Sequence, residues 1–289
     1  MTAAAADAAF AAAKVNLFLQ VGPRADDGYH PIESLIVFAD IGDRLRIGKP
    51  GDPPLSIEGP FAAGLTAGPD NLVLKASAAL GEAAPLILEK HLPLAAGLGG
   101  GSADAAGALR LLNARLAPPR DHAALSRIAA ALGSDVPACL AQEPVVASGR
   151  GERLAPAPDL PPIDAVLVNP GVPSPTAEVF SAFDRLGAAP SGPAPALRDR
   201  YDADQLLRLI HSTRNDLEPA AIGLQPAIGE ALARLRGQPQ TLVARMSGSG
   251  ATVFALCRDR ASAEALSGWL SRARRGWWVH AVRLGGPWN

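Results

Sequence analysis

Polar and apolar residues alternate from Phe10 to Gln20, with Val15, Leu17 and Leu19 on one face and Lys14 and Asn16 on the other. A period of two predicts a strand. Shorter apolar runs at Glu33 to Phe38, Asp43 to Ile47, Leu55 to Ile57 and Pro85 to Glu89 predict more strands, and Val145 to Leu154 reads as a hairpin. Helices are expected over NLVLKASAAL after Pro69-Asp70, from about Ser102 to Leu116, and from Asp121 to Leu132, where Gly133 stops the run. In the second half a strand at Ala165 to Val168 precedes helices at about 177–186, 203–211, 224–236 and 260–273. Strands at 241–246, 252–257 and 277–284 complete it. Helices and strands mix without strict alternation, which argues for an α+β fold over a doubly wound one. The proline-rich stretch APAPDLPP, Ala155 to Pro162, marks a junction between an N-terminal domain, 1–159, and a C-terminal domain, 160–289. GAAPSGPAPAL reads as a second linker, and the first nine residues as a frayed extension.

Composition narrows the function classes. The chain has 289 residues, 48% of them hydrophobic, so a sizeable core is expected and global disorder is not. The 27 basic residues nearly balance the 28 acidic ones, so bulk charge gives no reason to expect nucleic acid or an anionic membrane as partner. Two cysteines, Cys139 and Cys257, make neither a disulfide framework nor a metal motif, and a reduced cytoplasmic setting is the plain reading. No signal peptide and no membrane-length apolar run is visible.

The candidate chemistry begins in LPLAAGLGGGSADAAGALRLL, Leu92 to Leu112. Glycines let a backbone approach an anion closely, and a helix N-terminus offers it unpaired N–H groups. Gly97, Gly99, Gly100 and Gly101 feed such a helix, with Ser102 as a candidate cap. No lysine follows the glycines, so the P-loop pattern fails, and Ser102 replaces the last glycine of the dinucleotide pattern. The protein-kinase motifs are missing too. A flexible loop before a core helix is the plain alternative. Lys14 and Asn16 on one strand face, Asp135 in LGSDVP, the loop PGVPSPT and the glycine turn SGSGA add to the phosphate reading. Each has its own ordinary explanation: a solvated lysine, a turn aspartate, a tight loop, a hairpin.

Six segments, AAAKVNLFLQV, DDGYHPIESL, PLAAGLGGGSADAA, LGSDVP, NPGVPSPTAEVF and SGSGATVF, run in that order from Ala11 to Phe254. Together they resemble the GHMP kinase superfamily, whose phosphate loop has the form P-x-x-x-G-L-G-[GS]-[GS]-S. The chain looks nearest the branch that phosphorylates the tertiary 2-hydroxyl of a cytidine-diphosphate-linked methylerythritol on the non-mevalonate route to isoprenoids. The resemblance implies a two-domain α+β kinase with its site in the cleft between domains, using ATP and Mg²⁺ on a small-molecule alcohol, as a monomer or loose homodimer. It implies Lys14 and Asp135 as the catalytic pair. ATP would lie on Lys90 and on Pro93, Leu94, Ala95, Ala96, Gly97, Leu98, Gly99, Gly100, Gly101, Ser102 and Ala103. The cytidine pocket would take Asn16, Tyr29, His30, Thr176 and Phe180. The superfamily often carries a second serine where this chain has Ala103, so magnesium is expected to be held mainly by ATP phosphates and water, with Ser102 as the test of any direct ligation.

The chemistry makes sense without the resemblance. Phosphoryl transfer needs an aligned hydroxyl, neutralised phosphates and a metal. A carboxylate can accept the hydroxyl proton, and an adjacent ammonium orients it, if the fold brings Asp135 and Lys14 within reach. Tyr29 and Phe180, in a chain with 4% aromatic residues, suit a flat base, and a neutral His30 could match a cytosine edge. Filling the core is their ordinary alternative. Gly99→Val is expected to obstruct phosphate and spare the fold. Two rivals remain at this point: a GHMP kinase for a homoserine- or mevalonate-like alcohol, and a nucleotide-binding regulator without chemistry.

Overall fold

The computed structural model describes residues 7–187 and 194–288. The N-terminal half contains β1 (Ala8–Val21), β2 (Ile32–Ile47), β3 (Leu55–Glu58), α1 (Leu72–Leu80), β4 (Leu86–Glu89), α2 (Gly100–Asn113), α3 (His122–Leu132), α4 (Val136–Ala141), β5 (Val145–Gly149) and β6 (Arg153–Pro156). The C-terminal half contains β7 (Ile163–Asn169), α5 (Thr176–Leu186), α6 (Ala203–Ser212), α7 (Glu218–Leu224), α8 (Pro226–Arg236), β8 (Thr241–Met246), β9 (Val253–Cys257), α9 (Arg260–Ala273) and β10 (Trp278–Gly285). This is the expected α+β mixture. The strands form one ten-stranded sheet, antiparallel except where β3 meets β4.

The strand β2 joins the parts of the sheet. It was expected as two short strands but runs unbroken for 16 residues. Its first half pairs with β5, its second half with β4, and Phe38 and Ala39 in the middle pair with β10. It also pairs with β1 from Ile32 to Phe38 and from Gly42 to Arg46, and the β1 register slips between Ala12 and Lys14 and again between Asn16 and Phe18. Such irregularities re-aim side chains. Leu19 therefore leaves the face of Val15 and Leu17 and packs in a different apolar cluster from them. Ala8 and Ala9 pair with Arg46 and Leu45, so the start is not frayed from residue 8 onward; residues 1–6 lie outside the described residues, as does part of the second linker.

Helices α1 to α4 cover one part of the sheet in a first cluster, where the alanines of α2 permit close approach. Helices α5, α7, α8 and α9 pack on β7 to β9 in a second. A third cluster sinks Leu92, Ala96 and Leu98 of the glycine segment against β1, β2 and α6. The hydrophobic pattern missed α4 and α7. Both are short, with Pro137 and Pro219 in their first turns. The helix expected at 224–236 begins at Pro226, because Gln225 leaves helical geometry between α7 and α8. Among the described residues no helix is long and apolar enough to cross a membrane.

Candidate active site

A cavity of about 1130 Å³ is bordered by the irregular stretch of β1, the glycine segment, the turn before α4 and the start of α5. Lys14 and Asn16 enter it from β1, as their shared face implied. Asp135, expected in a non-helical corner, stands at the N-cap of α4 but makes no side-chain cap bond. It accepts a hydrogen bond from Lys14 Nζ at 2.9 Å instead. Two residues 121 apart in sequence thus form the pair that the chemistry requires. The lysine is buried, while the Asp135 side chain is 36% exposed, so its carboxylate is open to a reactant.

Asn16 is held by donation from its Nδ2 to Ser34 Oγ at 2.7 Å, and Ser34 donates onward to the Phe18 carbonyl. Its Oδ1 is buried with no hydrogen-bond partner. An unmet acceptor of this kind costs about 1–3 kcal/mol, which a ligand hydroxyl or amine would recover.

The glycine segment is fixed from three sides. Lys14 N donates to the Leu98 carbonyl at 2.9 Å, Thr252 N to the Ala96 carbonyl at 3.0 Å, and Ser247 Oγ to the Gly97 carbonyl at 3.1 Å. The SGSGA turn is therefore the loop's seat as well as a hairpin. Gly97, at φ +72, lies so close to it that a Cβ would stand 2.4 Å from the Ser247 carbonyl. Gly99 caps α2 in the left-handed region without a side-chain bond, which leaves the first-turn N–H groups to an outside anion. That unfilled donor set fits an ATP phosphate.

Several expectations change here. A Cβ on Gly99 would stand 3.3 Å from Lys14 Cβ in a strained backbone, so Gly99→Val would disturb the lysine as well as any phosphate. Gly101 borders the cavity, and a Cβ there would meet only Leu72 Cδ1, at 3.8 Å. Gly101→Asp is the cleaner test. An acid in the first turn favours the helix but repels phosphate. The variant is expected to keep its melting temperature and to raise the KM for ATP at least about tenfold, in steady-state kinetics. Leu98 and Ala103 were assigned to ATP, yet both side chains are buried in the core and neither borders the cavity. Ala103 N is also spent on the Gly99 carbonyl. Losing a hydroxyl at 103 thus removes nothing from the cavity wall. Ser102 does border it.

Lys90 borders the cavity too, but its ammonium is bonded to Asp43 and, at 2.7 Å, to Asp104 Oδ2. All three are buried. Asp43 also accepts from His91 N and Leu92 N, at 2.6 and 2.8 Å. This cluster ties the entry of the loop to the first helical turns of α2, and a Cβ on Gly100 would sit 3.2 Å from Lys90 Nζ. Lys90 supports the loop from beneath, where a contact with nucleotide was expected. Burial, with Asp43 close by, pushes the Asp104 carboxyl up to about 8 against the pull of Lys90. Burial works to lower the pKa of Lys90, but the two carboxylates outweigh it and hold it above its usual value. Sequence reasoning saw Asp104 in the first turn but missed Asp43; an acid inside an apolar strand was the available signal.

At the other end of the cavity stand Tyr29, His30, Thr176 and Phe180. Tyr29 is 57% exposed, which rules out a core-filling role. Phe180 borders the cavity and packs in part against the second apolar cluster. His30 stacks on Phe180 with ring centres 5.9 Å apart. Its two ring nitrogens already face oxygens, Nδ1 the Gly22 carbonyl at 2.9 Å and Nε2 Asp184 Oδ1 at 2.8 Å. The free ring edge expected for cytosine is therefore absent in this arrangement. Thr176 Oγ1 lies 2.9 Å from Ser249 Oγ, joining the start of α5 to the SGSGA turn. Among the described residues no group of three His, Cys, Asp or Glu side chains could hold a metal.

This fold and site are those of a small-molecule kinase: residues 71–143 match the family described as GHMP kinases N terminal domain and residues 194–272 the one described as GHMP kinases C terminal, and the chain belongs to the GHMP kinase family. Over 286 residues, 96% of the chain and 98% of the relative, it is 52% identical to 4-diphosphocytidyl-2-C-methyl-D-erythritol kinase of Caulobacter vibrioides strain NA1000 / CB15N. The enzyme of the same name from Paracoccus denitrificans is 49% identical over 274 residues, 95% of each chain. A crystal structure of 4-(cytidine 5'-diphospho)-2C-methyl-D-erythritol kinase is 34% identical, covers 97% of this chain and 100% of its own, and superposes with a TM-score of 0.77. L. major mevalonate kinase, 14% identical with a TM-score of 0.69 over 98% of this chain and 96% of its own, shares the fold.

Proposed function

We propose that this chain transfers the γ-phosphoryl group of ATP to the 2-hydroxyl of 4-diphosphocytidyl-2-C-methyl-D-erythritol, giving the 2-phosphate and ADP, in cytoplasmic isoprenoid precursor synthesis. The relatives' shared name, at about half identity over nearly the whole chain, supports the substrate. The observation that carries the chemistry is the 2.9 Å Lys14–Asp135 contact at the wall of a cavity that also holds the uncapped N-terminus of α2.

Asp135 accepts the proton of the attacking hydroxyl, and Lys14 orients its carboxylate. Asn16 Oδ1 receives a hydrogen bond from the bound alcohol. The N–H groups of Gly100 and Gly101 bind the nucleotide's phosphates, supported from below by Lys90. Magnesium bound with ATP would neutralise phosphate charge, with phosphate oxygens and water as its main ligands. Ser102→Ala is accordingly expected to shift the Mg²⁺ dependence of the rate little, as a metal titration would show.

Tyr29 and Phe180 stack the cytosine. Tyr29→Ala is expected to raise the KM for the cytidine alcohol roughly tenfold or more while the KM for ATP and the melting temperature hold. Phe180→Ala is expected to do the same with some loss of melting temperature, since Phe180 also packs on the core. We keep the division at 1–159 and 160–289 as part of the proposal: the two family matches fall on either side of it, while β10 pairs with β2 and carries the sheet across. Two free, buried cysteines support the reducing compartment, and a monomer or loose homodimer is the assembly proposed.

Phosphorus NMR of the completed reaction tests the assignment. A new phosphomonoester signal, with the diphosphate signals retained, is the expected result. ADP formation without that signal would contradict it.

A further inference from the structure

The cytidine alcohol carries its base and its reacting hydroxyl on opposite sides of a diphosphate, and the machinery above leaves that diphosphate without a partner. Lys14 is bonded to Asp135, and Lys90 is bonded to Asp43 and Asp104. Two other cations border the cavity, Arg24 and Arg150. Arg150 sits in the turn between β5 and β6, and its guanidinium carbon lies 4.0 Å from the centre of the Tyr29 ring. That contact stations a positive charge at the base-stacking end of the cavity. The guanidinium is half exposed and is paired with Asp27, itself half exposed, on the same loop as Tyr29. Asp27 is fixed in turn by accepting from Tyr29 N at 3.0 Å. Arg24, on the same loop, donates to the Gly28 carbonyl and approaches Asp184 at 3.7 Å.

An exposed carboxylate beside an arginine is a counter-ion that a stronger anion can replace. A diphosphate offers a guanidinium the two-oxygen face that suits it best. We propose that Arg150 binds the diphosphate of the nucleotide-linked alcohol, exchanging Asp27 for it, and so selects substrates by charge as well as by base. This rests on the function proposed above. It explains why the arginine is placed over Tyr29: base stacking and phosphate pairing are then read from the two sides of one ring.

The plain alternative is an ion pair that merely holds the Tyr29 loop in shape. Inhibition constants for cytidine and for cytidine diphosphate, measured against the alcohol at saturating ATP, separate the two. The wild type is expected to hold the diphosphate more tightly than the nucleoside. Arg150→Met is expected to cut that preference roughly tenfold, with the constant for cytidine and the KM for ATP unchanged, and Arg150→Lys to restore part of it. If Arg150→Met weakens both inhibitors by one factor, or leaves both unchanged, the diphosphate assignment falls and the substrate reading stands. If neither compound inhibits the wild type, both fall together.

Discussion

Asp135→Asn is expected to lower kcat by about 10²–10⁴-fold with little change in melting temperature or in either KM. The substitution keeps the size of the side chain and one oxygen to face Lys14 Nζ, but it removes the charge that takes up the hydroxyl proton. The loss falls on kcat because the interaction is made in the transition state. Little stability is at stake, since the Asp135 side chain is 36% exposed and caps nothing. Lys14→Met is expected to lower turnover as well. The double variant should lose less than the product of the two single losses, because lysine and aspartate act as one unit. Either single variant retaining full activity would remove that residue from the mechanism.

Lys90→Met is expected to produce the largest loss of stability, on the order of 3–5 kcal/mol, because it leaves the buried Asp43 carboxylate without its counter-charge and Asp104 without its hydrogen-bond partner. Chemical denaturation would measure it. ATP binding should weaken too, since the cluster ties both ends of the glycine loop. The pH dependence gives a second handle. Asp104 titrates at about 8 in the folded chain against an ordinary 3.8, so the folded state binds the proton more tightly. Stability contributed by this group is full below the ordinary value and is lost as pH rises through the folded one. Asp104→Asn, which stays neutral, is expected to flatten the decline of stability between about pH 5 and pH 8. Lys90→Met should steepen it. An unchanged slope in both variants would mean that the cluster does not titrate with folding.

How much of this was legible in the sequence depends on the range of the interaction. The strand β1 and the helices α1, α2, α3, α5, α6 and α9 followed from periodicity and caps. Asn71, Asp121, Asp202 and Asp259 each accept a backbone N–H as N-caps of α1, α3, α6 and α9, whereas Ser102, read from the sequence as a cap, lies inside α2, which Gly99 opens. The two bulges in β1 were not legible, since the pairing partner sets them, and they send Leu19 to another cluster. The 2.9 Å Lys14–Asp135 contact required the fold. The tie at Lys90 was hidden for the same reason: its position suggested a ligand contact, and Asp43 and Asp104, 47 and 14 residues away, occupy its ammonium. The burial of Ala103 was not legible because a loop motif says nothing about which side of the first helical turn faces the core. His30 kept its place in the cavity wall, but its nitrogens were taken by a carbonyl and a carboxylate from elsewhere in the chain.

The most direct test of the account is kcat/KM for ADP release with three alcohols: 4-diphosphocytidyl-2-C-methyl-D-erythritol, mevalonate and homoserine. A site that binds the base and orients the hydroxyl should favour the cytidine alcohol by at least about 10²-fold. Equal or greater turnover of mevalonate or homoserine, or ADP release that needs no alcohol, would contradict it.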